Sequence, residues 1–336
     1  MAMLDSLEQR QIHLTHAYVV NNAARDAYSN WQDIKNPQAS VVRDNILSRL
    51  NASKVGGGYG IVWGPSLVLD DDSNKYAAHI TVALMGGKNN EIVIVTSGTN
   101  PDSAKDMMDD ITILPMVPLH KIVSGAPVSA GISQGTDWGV DAILNAPSSS
   151  ASQGTLSDFI AKLQNGATVT LVGHSLGGAL MSVIALYLKN KFQNIEFNCE
   201  TFAAPTAGDG AFAYYFNQQM AGSALRVFNT LDVVPMGWCA TSLDAAMTLY
   251  DSKNILIDPD SKKLFCQNID LIEFNNLNYT QWGMGCAGME LKLSGEVNSD
   301  YNTYKSQSGY QHIYAYMSLL GLQLTDIPMP PPSAGS

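Results

Sequence analysis

The sequence predicts an α/β fold with a mostly parallel central sheet, an antiparallel meander at its N-terminal side and helices on both faces. Between residues 131 and 235, segments with apolar residues at helical spacing alternate with short β-branched runs. Such alternation is typical of parallel strands joined by crossover helices. Between residues 59 and 95, three strand-like runs are separated by the turn sequences "DDDSNK" and "GGKNN". Short connections of this kind indicate neighbouring antiparallel strands.

The expected elements follow from local periodicity and turn signals. Helices are expected at 4–29 and 41–50, where apolar residues recur at helical spacing. The three strand-like runs are "YGIVWGPSLVL", "YAAHITVALM" and "EIVIVTSG". After the meander, the expected elements in chain order are helices near 131–145 and 155–165, a strand at 168–173, a helix at 176–191, a strand at 195–202, a helix near 209–220 and a strand at 224–235.

Length and composition bound the domain organisation. A chain of 336 residues with 46% hydrophobic and 15% charged residues is expected to be globular. We expect one domain over residues 1–325 and a disordered, proline-rich tail over 326–336. The segment 239–308 is less regular and is expected to be an insertion. Within it, strands are expected around 254–258, 262–267 and 269–274.

The charge and the cysteines argue against several classes of partner. A net charge of −11 repels phosphate, so neither nucleic acid nor a strongly anionic membrane surface is an expected partner. The four cysteines are too few and too far apart for a disulfide scaffold, a zinc site or a redox motif. An acidic run at 69–75 lacks the glycine and the distal glutamate of a calcium loop. We expect no metal and no cofactor, while the disulfide and oligomeric states stay open.

Neither a signal peptide nor a transmembrane segment is expected. Residues 1–20 carry acidic and polar side chains where a secretory signal needs an unbroken apolar core. The longest apolar run, 171–188, is interrupted by glycines, a histidine and a serine in its first half. The protein is therefore expected to be cytoplasmic, or to be secreted after removal or in the absence of a signal.

A serine between glycines, in "TLVGHSLGGAL", carries the clearest functional signal. The segment Gly173–Gly177 fits the G-x-S-x-G nucleophile elbow, a sharp strand-to-helix turn that exposes the serine hydroxyl above the sheet edge. A β-branched strand precedes it and a long apolar helix follows, as the motif requires. Free N–H groups at the start of that helix favour developing negative charge. The pattern predicts an α/β-hydrolase fold with Ser175 as nucleophile; a structural glycine-rich turn is the alternative.

A serine nucleophile needs a base and an orienting carboxylate, which in this fold follow the serine in the order acid, then histidine. His312 is the only histidine after Ser175 and is the expected base. Its alternative is a core histidine on an aromatic helix face. Asp232, in "VFNTLDVVP" after a strand pattern, is the expected acid. Asp209 competes for that role, or instead caps the helix that follows it.

Several blocks of the sequence together resemble the class 3 lipase family, whose typical members are triacylglycerol lipases of filamentous fungi. The family's elbow G-H-S-L-G-G-A is Gly173–Ala179 without a mismatch. Its next blocks appear as "TFAAPTAGD", Thr201–Asp209, and "RVFNTLDVVP", Arg226–Pro235. The second block places the acid on Asp232. The family's C-terminal histidine, followed two residues later by an aromatic residue, matches His312.

The resemblance, which covers about residues 90–235 and the histidine, also implies an oxyanion hole and a lid. The family's strand ending in F-R-G-T/S corresponds to "VTSGT", with Ser97 in place of the usual arginine. The hydroxyl donor of the oxyanion hole then falls on Thr99, and the backbone N–H of Leu176 is the second donor. The family's mobile lid corresponds to the proline-broken stretch 103–127, for which an ordinary buried loop is the alternative.

The resemblance implies a serine carboxylic-ester hydrolase, and within that class a lipase that hydrolyses acylglycerol esters through a triad of Ser175, Asp232 and His312 and an acyl-enzyme. The implied partner is a lipid or another hydrophobic ester, including one at a lipid–water interface. Phospholipase A1, a feruloyl-type esterase or an acyltransferase would use the same triad, because specificity depends on the acyl and alcohol pockets. A non-catalytic binding protein on a hydrolase scaffold is the alternative from another class.

Overall fold

The computed structural model describes residues 6–27, 39–69, 77–87, 89–98, 112–150 and 152–329. Its strands are β1 (Tyr59–Leu69), β2 (Ala77–Gly86), β3 (Glu91–Thr96), β4 (Met116–Pro118), β5 (Gly131–Ser133), β6 (Thr168–His174), β7 (Glu196–Phe202), β8 (Ala224–Asn229) and β9 (Glu290–Leu293). Its α-helices are α1 (Leu7–Ala27), α2 (Ala39–Ala52), α3 (Gln134–Asn145), α4 (Leu156–Ile160), α5 (Leu176–Lys191), α6 (Gly210–Gln219), α7 (Ala240–Ala246), α8 (Pro259–Phe274), α9 (Tyr304–Ile313) and α10 (Ala315–Leu319). Short 3₁₀ helices occupy Leu119–Lys121, Val234–Met236 and Asp251–Lys253.

The expected α/β sheet is confirmed. Within the described ranges, seven strands form the central sheet in the order β1-β2-β3-β6-β7-β8-β9. β1, β2 and β3 pair antiparallel, and every further pair along the sheet is parallel. Thr96 of β3 pairs with Gly173 of β6, which pairs in turn with Thr201 of β7. The carboxyl ends of these three strands therefore meet at one edge of the sheet, where ligand sites of α/β proteins lie. β4 and β5 form a separate antiparallel pair.

Helices cover both faces of the sheet, as predicted. In β3, Val93 and Val95 belong to the apolar cluster built with α1, α2 and α10, whereas Ile94 belongs to the cluster built with α3, α5 and α6. Continuous apolar strands of this kind are typical of a sheet that is buried on both faces. Most residues of α5 are buried because the helix is apolar around nearly its whole circumference.

A third apolar cluster lies under the chain that follows β8. It joins Val233, Val234 and Trp238 to residues of the following helices and loops, among them Leu243, Tyr250, Phe265, Ile272, Tyr279 and Tyr304. Leu176, the residue after the elbow serine, packs against this cluster. The segment 239–308, which the sequence predicts to be an irregular insertion, therefore supplies apolar side chains next to the elbow that carries Ser175.

The strands predicted between 254 and 274 are wrong, because helix α8 occupies most of this stretch. Asp258 caps the helix by accepting the backbone N–H three residues further on, and Pro259 occupies its first turn. Phe265 and Ile272, seven residues apart, are both buried. Short apolar runs do not distinguish a strand from a helix, whereas the aspartate and proline at its start do mark a helix.

A strand from the same segment extends the central sheet. β9 pairs in parallel with β8, from Arg226 beside Glu290 to Asn229 beside Leu293. Arg226 also forms an ion pair with Glu290 and lies over the ring of Phe228. The four residues of β9 are too short a pattern for the sequence to indicate a strand.

Three other elements are shorter than expected. The helix near 131–145 begins at Gln134, after β5; the helix at 155–165 ends at Ile160; and the strand at 224–235 ends at Asn229. Ser133 explains the first case, because its side chain accepts the N–H of Thr136 and caps α3.

The described part of the candidate lid is packed into the fold. Of the stretch 103–127, the structure describes 112–127, where Leu119, Val123 and Ala126 are buried in the cluster that contains α5. β4 lies in this part and pairs with β5. The remainder of the candidate lid lies outside the described residues.

The packed chain extends beyond the domain end expected at 325. Ile327 is buried in the cluster that contains α1 and α2. Asp326 forms an ion pair with Lys54 at 2.8 Å. Residues 330–336 of the expected tail lie outside the described residues.

Over the part of the chain that the structure describes, no helix combines the length and the apolarity needed to cross a membrane. The same part contains no group of three or more His, Cys, Asp or Glu side chains placed to hold a metal ion. The four cysteines all lie within it and are free thiols: Cys199, Cys239, Cys266 and Cys286.

A buried polar cluster joins α1 to the sheet. The fully buried His13 lies between two carboxylates, with Nδ1 2.5 Å from Glu200 and Nε2 3.2 Å from Glu91. Glu91 also accepts hydrogen bonds from the hydroxyls of Tyr59 and Thr170. Burial lowers the pKa of His13, but the hydrogen bonds and charges of the two carboxylates outweigh it and raise this pKa to about 9. The imidazole of His13 is therefore a cation at neutral pH.

We expect His13 to make the free energy of unfolding decrease as the pH rises. The pKa of His13 is about 9 in the folded protein, above its ordinary value of 6.5, so between these values the folded state binds one more proton than the unfolded state. The stabilisation is fully present below about pH 6.5 and is lost as the pH rises through about 9. His13→Gln should therefore lower Tm strongly at pH 7 and much less at pH 10.

His79→Gln is the matched control for this prediction. His79 is also buried, and burial lowers its pKa to about 4, so its ring is neutral in both folded and unfolded states above about pH 7. Thermal melts of the wild type and both variants between pH 7 and pH 10 make the comparison. A Tm difference between wild type and His13→Gln that is equal at every pH would contradict the account.

Candidate active site

Ser175 lies at a sharp turn between β6 and α5. Its φ is 60° and its ψ is −136°, a region that residues other than glycine rarely adopt. The neighbouring glycines permit the turn: a Cβ on Gly173 would lie 2.3 Å from the backbone of Gly177, and a Cβ on Gly177 would lie 2.6 Å from the carbonyl oxygen of Thr96. Backbone strain of this kind is concentrated at functional sites.

Asp232 lies in the loop after β8 and is fully buried. Its Oδ1 accepts the backbone N–H of Val234 at 3.0 Å, and its Oδ2 accepts the hydroxyl of Tyr316 at 2.8 Å. A buried carboxylate is costly unless hydrogen bonds replace the lost water, and these two donors do so in part.

His312, near the end of α9, lies between Asp232 and Ser175. Its Nδ1 is 2.9 Å from Oδ2 and 3.1 Å from Oδ1 of Asp232, and its Nε2 is 3.0 Å from Oγ of Ser175. Because a carboxylate only accepts hydrogen bonds, Nδ1 carries the proton of the neutral ring. Nε2 is then the acceptor that faces the serine hydroxyl. The three side chains named from the sequence thus form one continuous hydrogen-bonded chain.

His174, the residue before the elbow serine, supports His312. The two ring centroids are 4.7 Å apart, and Nε2 of His174 donates to the carbonyl oxygen of His312 at 2.9 Å. Burial, with a smaller contribution from His312, holds the pKa of His174 well below its ordinary value. The ring of His174 is therefore neutral, and it fixes the main chain at His312 without adding a charge.

The predicted oxyanion donors are only partly described. Leu176 begins α5, so its backbone N–H belongs to the first helical turn, where N–H groups have no partner within the helix. Thr99 lies outside the described residues. Gly98, immediately before it, lies against the elbow, since a Cβ there would be 3.0 Å from Cβ of Ser175. The N–H of Gly98 donates to Oδ1 of Asn21 at 2.9 Å.

Asp209, the competing acid, caps α6 instead. Its Oδ1 accepts the backbone N–H of Phe212 at 2.8 Å, and its Oδ2 accepts the N–H of Gly131 at 3.1 Å. Neither of these bonds involves His312.

Sequence reasoning missed the polar residues around this chain of side chains. Tyr316 binds Asp232 and also accepts the backbone N–H of Asn229 at 3.0 Å. The sequence could have indicated Tyr316, because it follows His312 by four residues and residues at this spacing lie on the same face of a helix. Tyr18 and Asn21 of α1 also reach this region, but no motif marks them, because only the packing of α1 on the sheet brings them there.

A serine elbow at the end of a parallel strand, with an acid and then a histidine later in the chain, defines an α/β-hydrolase. The crystal structure of M37 lipase has this fold: it superposes with a TM-score of 0.80 at 24% sequence identity and covers 94% of each chain. The family model for lipase (class 3) matches residues 93–239. This match confirms the resemblance to the class 3 lipase family that the motifs of the region carry.

A curated relative matches part of the chain. The secreted mono- and diacylglycerol lipase MDL2 of Malassezia globosa is 25% identical over 151 residues, which cover 43% of this chain and 45% of that lipase. The chain thus matches less than half the length of this relative.

Proposed function

We propose that the protein is a serine ester hydrolase, and specifically an acylglycerol lipase, in which Ser175 is the nucleophile. The observation that carries the proposal is the continuous contact from Ser175 Oγ to His312 at 3.0 Å and from His312 to Asp232 at 2.9 Å. This is the arrangement by which a base activates a hydroxyl and a carboxylate holds the base in the required tautomer.

The proposed reaction proceeds through an acyl-enzyme. Nε2 of His312 takes the hydroxyl proton as Oγ of Ser175 attacks the ester carbonyl, and Asp232 stabilises the imidazolium that forms. The oxyanion of the tetrahedral intermediate accepts hydrogen bonds from the N–H of Leu176 and from Thr99. His312 then protonates the leaving alcohol. A water molecule, deprotonated by the same nitrogen, attacks the acyl-enzyme and releases the carboxylic acid.

Two observations support a lipid ester as the substrate. The matched family and the Malassezia relative, a mono- and diacylglycerol lipase by name, favour acylglycerols. The side chain of Leu176, next to the nucleophile, packs against the cluster that contains Val233 and Val234. The reactive groups therefore adjoin apolar side chains, an environment that suits an acyl chain.

A substrate panel tests the choice of lipase over its alternatives. We expect emulsified mono-, di- or triacylglycerols to be hydrolysed with a higher kcat/KM than phosphatidylcholine or methyl ferulate. On each substrate the rate of Ser175→Ala should be lower by about 10⁵-fold or more. Faster cleavage of the phospholipid at its sn-1 ester would indicate a phospholipase A1. Transfer of the acyl group to an added alcohol in preference to water would indicate an acyltransferase.

Thr99→Ala is expected to lower kcat by about 10²- to 10³-fold, because loss of one oxyanion donor costs about 3 kcal/mol of transition-state stabilisation. KM should change little, since the donor acts on the intermediate and not on the bound ester. Thr168→Ala is the matched control. It makes the same chemical change at the first residue of β6, at the end of the strand that lies away from Ser175. Steady-state kinetics on a soluble p-nitrophenyl ester measure both. Equal kcat values for the two variants would remove Thr99 from the oxyanion hole.

A further inference from the structure

Asn21, on the helix α1 and outside the region shared with class 3 lipases, contacts two segments of the active site at once. Its Oδ1 accepts the backbone N–H of Gly98 at 2.9 Å, and its Nδ2 is 3.5 Å from Nδ1 of His174. Since Nε2 of His174 donates to His312, Nδ1 is the acceptor of that ring. The amide therefore presents its oxygen to a donor and its nitrogen to an acceptor, which fixes its orientation.

The contact with Gly98 matters because this residue leads into the oxyanion segment. Gly98 is buried, and a Cβ on it would lie 2.7 Å from the carbonyl oxygen of His174. The preceding Ser97 is anchored to the sheet, since its N–H donates to the carbonyl oxygen of Ile80 at 2.9 Å. After that bond the sheet pairing ends, and the side chain of Asn21 is what holds the next backbone N–H.

The helix that carries Asn21 is itself tied to the histidine side of the site. Tyr18, one turn earlier on α1, donates its hydroxyl to the carbonyl oxygen of Ile313, the residue after His312. The ring of Tyr18 also meets the ring of His174 edge-on, with centroids 5.0 Å apart. α1 thus links the segment before Thr99 to the backbone beside His312.

We propose that Asn21 is a positioning residue, which holds Gly98 against the elbow and so sets the place of the oxyanion segment relative to Ser175. The proposal rests on the proposed ester hydrolysis. The N–H of Gly98 is bound to Asn21 and is therefore not among the proposed oxyanion donors.

Asn21→Ala tests the role in catalysis. We expect kcat on p-nitrophenyl butyrate to fall about 10- to 100-fold with KM little changed, because a displacement of about 1 Å at a reacting group costs this much. Asn21→Asp keeps an acceptor for Gly98 but turns its second oxygen toward the acceptor Nδ1 of His174, so it should recover only part of the lost kcat. Asn22→Ala is the matched control: its side chain is buried on the same helix, and its amide donates only to the carbonyl oxygen of Tyr18 within that helix.

Hydrogen–deuterium exchange supplies a readout that does not depend on turnover. The backbone N–H of Gly98 should exchange faster in Asn21→Ala than in the wild type, and at the wild-type rate in Asn22→Ala. In Asn21→Asp, which keeps the acceptor, its exchange rate should lie closer to the wild-type rate than in Asn21→Ala. Unchanged exchange in Asn21→Ala, or a kcat no lower than that of Asn22→Ala, would overturn the proposal. A wild-type protein that hydrolyses no ester would instead overturn the proposed function, and exchange at Gly98 would still report whether Asn21 holds this residue.

Discussion

Ser175→Ala is expected to lower kcat on a soluble ester by about 10⁵- to 10⁶-fold, the loss typical of removing the nucleophile of a serine hydrolase. The variant should fold, because the substitution removes only the hydroxyl, which faces Nε2 of His312 at 3.0 Å. Alanine tolerates the turn no worse than serine, since both carry a Cβ at the same positive φ. Steady-state kinetics and a thermal melt measure the two effects separately.

Ser182→Ala controls for the loss of a buried serine hydroxyl from the same region. Ser182 is fully buried in α5, where its hydroxyl donates to the carbonyl oxygen of Ala179 at 2.6 Å. This variant should retain kcat within about 2-fold, because the side chain bonds only to its own helix. A Ser175→Ala variant as active as Ser182→Ala would show that Ser175 is not the nucleophile.

Asp232→Asn is expected to lower kcat by about 10³- to 10⁴-fold, because an amide cannot accept from every donor around this position. Val234, His312 and Tyr316 all donate to the carboxylate. One of them would meet the NH₂ group of asparagine. If it is His312, the ring changes tautomer, and Nε2 no longer accepts the proton of Ser175.

Asp209→Asn is the matched control, since Asp209 follows the strand β7 and is the competing candidate for the acid. Its carboxylate accepts the N–H of Phe212, which caps α6, and the N–H of Gly131, and asparagine can keep only one of these two bonds, so Tm should fall modestly. The value of kcat should change little, because neither bond involves His312. Kinetics and thermal melts of both variants make the comparison. A larger loss of kcat in Asp209→Asn than in Asp232→Asn would reverse the assignment of the acid.

The sequence predicted the fold class and pointed to Ser175, Asp232 and His312 because both inferences depend on strong local patterns. The alternation of strand and helix between 131 and 235 determines the parallel sheet. The elbow motif determines the turn at Ser175, and a single later histidine leaves one candidate base. The structure brings Ser175, Asp232 and His312 into contact, and their chemical roles are the proposals that the variants test.

The rest depends on contacts that a one-dimensional pattern does not encode. The strand patterns seen between 254 and 274 belong to α8, whose start is marked only by Asp258 and Pro259. Asn21 lies 77 residues before Gly98, and nothing in the sequence of α1 distinguishes it from Asn22 beside it. Their different partners follow from the direction in which each side chain leaves the helix.

Covalent labelling tests the central claim, that Ser175 is an activated nucleophile, most directly. The wild-type protein is incubated with a fluorophosphonate, which reacts with activated serines, and the adduct is located by mass spectrometry of the digested chain. The account predicts one label per chain, on Ser175, with loss of ester hydrolysis in proportion to labelling and no label on Ser175→Ala. A protein that hydrolyses esters while Ser175 stays unlabelled, or whose label lies on another residue, would contradict it.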